Sequence, residues 1–177
     1  MTSISNETFD ADAFLNEQVD APMATDFTLC PAAEYLAYIH DFNSDAVEEI
    51  NFVYKQGPNA GSPGTMKKFG CPFIIPDEKA RAHMGKVLDQ KLIVEADMIL
   101  DIDPETGKLS TGINKNVLLG KVRDAVGQNN DPTWNLSKLR GAGPLMIRVV
   151  HRQIDTKNGK ITVARVDRVA PLAKQVA

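Results

Sequence analysis

Apolar residues along this chain fall mostly into short runs bounded by turn-forming residues, which is the spacing of strands. The run EYLAYIHDF (34–42) is rich in aromatic and aliphatic residues and lies between Pro31 and Asn43, so it is expected to be a strand, with EINFVYKQ (49–56) as its neighbour. GPNAGSPG (57–64), with three glycines and two prolines, connects to a third extended segment, TMKKFGCPFII (65–75), in which Pro72 argues for an edge position. KLIVEADMILDID (91–103) reads as a long strand, and DPETG supplies the turn into KLSTG. PLMIRVVHRQID (144–155) and KITVARVDRVAPL (160–172) form a terminal hairpin around Asn158-Gly159.

Two stretches carry helical signals instead. PDEKARAHMGKVLD (76–89) puts Pro76 at a first helical position with acids in the first turn, predicting two to three turns. Further on, Val117, Leu118, Lys121, Val122, Ala125 and Val126 recur at helical spacing, and Gly127 is a natural stop. The resulting order lacks the regular βαβα alternation of a parallel sheet. It predicts a mainly β (α+β) fold, a small OB-like barrel (the oligonucleotide/oligosaccharide-binding type) of about five strands with one helix before the last two. Residues 1–24 are polar and acidic, with only 10–18 able to form a short helix, and are expected to be a flexible acidic arm ahead of a single domain, 25–177.

At 177 residues and 43% hydrophobic, the chain suffices for one core. No stretch approaches the roughly 18 apolar residues of a membrane helix, and the start lacks the basic and apolar regions of a secretory signal, so no membrane partner and a cytoplasmic location are expected. Cys30 and Cys71 lie far apart and outside any CxxC pattern, which suits buried thiols in a reducing compartment. The net charge of −3 hides a gradient. Eleven acids and no Lys or Arg precede residue 55, whereas thirteen bases against four acids follow from Lys108 onward. Such asymmetry suits either a polyanion partner or a basic half that meets the acidic half within the fold.

Catalytic and metal signatures are incomplete. Asp101-Ile102-Asp103 lacks the threonine of a phosphotransferase pair, having Glu105 there, and a calcium loop fails at Thr106 and Gly112. Gly57, Gly61 and Gly64 precede no GK[ST], so the lysine and hydroxyl of a phosphate cradle are missing. His40, His83 and His151 sit on three separate elements, and no GxSxG or local Cys-His arrangement occurs. The expectation is a non-enzyme with no cofactor and no metal site. What remains is bases interleaved with aromatics. Lys67, Lys68, Phe69 and Phe73 share one extended segment, where alternation puts both rings on the face of Lys67 and leaves Lys68 opposite. That pattern suits stacked bases and tracked phosphates, unless the rings are core. Arg148 and Arg152 share a strand face, and Trp134 is either a stacking platform or a plug over the barrel end. Lys121 and Arg140 complete the candidate nucleic-acid-binding set.

The C-terminal part resembles a group of uncharacterised phage proteins found among replication and recombination genes. KNVLLGKVRDAVGQN, the segment W-x-L-S-K-L-R-G, and IRVVHRQIDTKNGKITVARVDRVAPL match that group's helix ending in glycine, short segment ending in glycine, Val-rich strand, turn, and strand ending near a proline. EYLAYI is similar to the group's opening strand, with Ala33 where glycine is usual. The resemblance implies an OB-type barrel acting on single-stranded DNA, with phage or host replication proteins as further partners and homo-oligomer formation left open. It identifies no binding residue, and the acidic segment here is N-terminal. The leading expectation is therefore sequence-tolerant single-stranded-DNA binding in phage replication or recombination. A virion structural protein (head decoration or tail component) is the alternative, and a small regulator of a host enzyme a third.

Overall fold

The computed structural model describes residues 8–87 and 89–172. In chain order it contains α1 (Ala11–Leu15), β1 (Glu34–Ile39), β2 (Val47–Val53), β3 (Pro63–Ile74), α2 (Glu78–His83), β4 (Ile93–Leu100), α3 (Val117–Ala125), β5 (Leu145–Thr156) and β6 (Gly159–Ala170). Strand pleating sorts the side chains. β1 buries Tyr35, Ala37 and Ile39 while Glu34, Leu36 and Tyr38 face outward, and β4 buries Val94, Ala96, Met98 and Leu100. The fold is mainly β, as the sequence predicts, with six antiparallel strands instead of about five and with α3 ahead of the last two.

The strands pair in the order β2-β3-β1-β5-β6, and β4 adds to β3. β3 is the hub, since it meets β2 along 63–69, β4 along 67–74 and β1 at 73–74. β4 also lies against β6 at the other end of the order, so the sheet rolls back on itself into a partly open barrel. No backbone ladder joins β4 to β6 among the described residues. A side chain spans that seam: Arg165 Nε of β6 donates to Asp97 Oδ2 of β4 at 2.9 Å, and Lys68 Nζ of β3 stands 3.4 Å from the other oxygen of Asp97. The interior holds Phe69, Cys71 and Phe73 from β3, Leu145, Ile147 and Val149 from β5, and Leu119, Val122 and Ala125 from α3, which packs against β6.

Three local expectations are corrected. β3 is central, not an edge strand. Pro72 is tolerated because its carbonyl accepts from His40 N at 2.8 Å, so its missing N–H faces the same side, in the break between the ladders of β2 and β1. α2 has six residues, because Gly85 takes a left-handed φ of 64° just past its end. KLSTG adds no strand, only the bridge between Ile102 and Leu109. Where the sequence places an acidic arm, residues 8–28 are exposed throughout, and Asp10 caps α1 through bonds from Asp12 N and Ala13 N.

Candidate nucleic-acid interface

The segment around Lys67 does not offer the surface its sequence suggests. Phe69 and Phe73 are fully buried, and Phe69 packs edge-on against Phe42 with ring centroids 5.2 Å apart, so neither ring is open to a base. Lys67 does share their strand face, as alternation requires, but β3 runs out of the core between residues 67 and 69. Acids oppose both lysines: Glu49 pairs with Lys67 and Glu48 with Lys68 across the ladder, and Lys68 is further bound to Asp97. Beside them a cavity of about 370 Å³ is lined by Asp41, Asp45, Glu48, Glu95 and Asp97 against the single base Lys68. Such a surface repels phosphate.

The remaining expected residues are dispersed. Arg148 is engaged by both carboxylate oxygens of Asp167, because a bulge places Asp167 and Arg168 opposite that one residue. This ion pair raises the Arg148 pKa and lowers that of Asp167. Arg152 is exposed and forms no ion pair among the described residues. Arg140 reaches Asp41 at 3.8 Å and lies 5.4 Å from the Phe42 ring centroid. Lys121 is on the exposed side of α3. Trp134 is half-buried against the core, with the Arg123 guanidinium 4.1 Å from its ring centroid, so one ring face is already covered.

Trp134 nevertheless marks a place where bases, an aromatic and an apolar floor converge. The turn after β4, α3 and the loop 129–136 enclose a cleft of about 620 Å³. Leu109, Leu119 and Leu136 line it together with Lys108, Lys115 and Arg123. Its geometry is built from short-range bonds. Asn116, held at a left-handed φ of 48°, accepts from Asp101 N and donates to Asp101 O and Ser110 O, while Asp101 Oδ2 accepts from Asn116 N. This knot ties the end of β4 to the start of α3 and fixes the turn that carries Lys108.

On the opposite wall, Gln128 accepts from Trp134 Nε1 and donates to Lys138 O, both at 2.9 Å. Arg123 Nη2 donates to Gln128 O at 3.2 Å, and the buried Arg123 Nε has no acceptor among the described residues. The one lining carboxylate, Asp131, is taken up by Lys138 at 2.7 Å, and this bond with those from Thr133 holds its pKa down to about 2. Lys108 and Lys115 form no ion pair among the described residues. The cleft is thus cationic, with a planar guanidinium fixed on an indole, a surface suited to stacking.

Sequence reasoning found Trp134 but missed Lys108, Lys115 and Arg123, which lie in the basic half yet carry no local motif. Elsewhere, burial pushes the Cys30 and Cys71 thiols up, opposite to an activated nucleophile. Burial, with Cys30 nearby, raises the Tyr35 hydroxyl to about 12. Among the described residues no helix is long and apolar enough to cross a membrane. No family profile, no curated protein and no solved structure matches the chain.

Proposed function

We propose that the protein binds single-stranded DNA without sequence preference, in the cytoplasm of a host cell during phage replication or recombination, and that the cleft beneath Trp134 takes a base and its phosphate. The observation that carries this reading is the pairing of Lys108 and Lys115, which form no ion pair among the described residues, with the fixed Arg123-Trp134 stack over an apolar floor. Lysines neutralise phosphates while a planar guanidinium or ring supports a base of any identity. The phage setting rests on the C-terminal sequence resemblance.

Trp134 is the only tryptophan, so its fluorescence reports on the cleft directly. Titration with a mixed-sequence oligonucleotide should quench it, with affinity falling steeply as salt is added. Replacing Lys108 and Lys115 together by alanine should lower the logarithmic salt slope by about 1.4, since each single-strand contact contributes roughly 0.7. Binding without a tryptophan response would move the site elsewhere. Absence of binding at low salt would remove the DNA reading in favour of a structural role.

A further inference from the structure

Two surfaces of this chain are exposed to solvent and chemically complementary. The first is the arm. Between residues 8 and 28 it presents Phe9, Phe14, Leu15, Val19, Met23 and Phe27 to solvent, Phe27 at 99% exposure, together with five acids and no base. Isolated exposed apolar residues are ordinary, but six on one short acidic segment mark a surface made for burial. Part of it is preformed: Asp10 caps α1, and the Phe9 and Phe14 rings pack with centroids 5.5 Å apart.

The second surface is the outer face of the β1-β5-β6 sheet. Leu36 lies beside Met146 and Met146 beside Ala170, so the three form one cross-strand row, and Tyr38 extends it along β1. Leu36 and Tyr38 are about two-fifths exposed, at 40% and 41%. The next row carries Glu34, Arg148 and Arg168; Asp167 takes up Arg148, and Arg168 is exposed and forms no ion pair among the described residues. An apolar stripe matches the apolar side chains of the arm in hydrophobic terms, and Arg168 beside it adds a charge complementary to the arm's acids.

We propose that the arm docks on this outer face of a second copy of the chain. Within one chain the arm's apolar side chains remain exposed, so the chain's own sheet does not serve them, and a second copy supplies the matching face at equal concentration. Reciprocal exchange of two arms forms a closed twofold pair, and about twenty arm residues approach the roughly 20–30 residues a side of a standard interface. The proposal uses no cleft residue and holds whether or not the cleft binds DNA.

Full-length variants test it by analytical ultracentrifugation. Wild type should self-associate in a concentration-dependent way. Phe14→Ser with Leu15→Ser in the arm, and separately Leu36→Glu with Met146→Glu on the face, should each weaken association about tenfold or more while thermal melting stays that of a folded protein. The two variants should associate when mixed, because the intact face of the first accepts the intact arm of the second. A monomeric wild type would overturn the proposal, leaving the arm folded on its own sheet or waiting for another partner. Self-association that neither pair weakens, or variants that fail to complement on mixing, would overturn it equally, by assigning the contact to another surface.

Discussion

Phe69 is held on three sides: Phe42 meets its ring edge-on, Met98 of β4 and Val47 of β2 stand opposite it across the two ladders, and no part of it reaches water. Removing such a ring loses both transfer free energy and packing, because the surrounding strands close the cavity only in part. Phe69→Ala should therefore cost about 3–5 kcal/mol, read from the urea midpoint, and leave the salt dependence of any DNA binding unchanged. Tyr38→Ala, on the outer face, should cost far less. A small loss at Phe69 would mean that the ring is not core. Alternation alone was enough to put Lys67 and Phe69 on one face. It says nothing of where along a strand the cover ends, and here the core stops between those two residues. For the same reason the shared face of Arg148 and Arg152 was legible, whereas the capture of Arg148 by Asp167 depends on a bulge that no residue pattern announces.

At the scale of elements, the signals that rest on local backbone chemistry were readable. Gly127 adopts a φ of 76° just after α3, and the expected terminal hairpin forms, with Lys157 and Asn158 as its two-residue turn and Gly159, at a φ of 111°, opening β6. The cleft was not readable, because α3 supplies only one of its walls and the others come from 108–116 and 129–136, stretches without hydrophobic period whose side-chain directions are set by tertiary bonds. Asn116 supplies the most concentrated set of those bonds. Alanine there loses the three side-chain bonds to Asp101 and Ser110 and must also hold a left-handed backbone, whereas glycine loses the bonds only. Asn116→Ala should therefore destabilise by about 2–4 kcal/mol and Asn116→Gly by less. In both, the amide of Asp101 should lose hydrogen-exchange protection. Equal costs for the two would show that the backbone conformation contributes nothing.

For the whole molecule, the open side of the barrel is the seam between β4 and β6, and Asp97 is its pivot, bonded to Arg165 of β6 and paired with Lys68 of β3. Burial pushes the Asp97 carboxyl up, but the Arg165 hydrogen bond and charge, aided by Lys68, outweigh it and leave the pKa below the ordinary value. The unfolded chain then binds the proton more readily than the folded one. Stability from this group is complete above the ordinary aspartate pKa of about 3.9 and is lost as pH falls through the lower folded value. Asp97→Asn leaves Arg165 and Lys68 without their shared anion and should cost about 1–2 kcal/mol at neutral pH, with partial exposure keeping the figure modest. Urea melts of both proteins at pH 7 and near pH 3 isolate the effect. Asp131 and Asp167, also depressed, titrate alike in both proteins and cancel in the comparison. The gap between wild type and variant should narrow in acid, as wild type itself loses the charge that holds the seam. A gap of the same size at both pH values would mean that the carboxylate's charge does not hold β4 to β6, leaving α3 packed on β6 and the shared core to keep the barrel rolled.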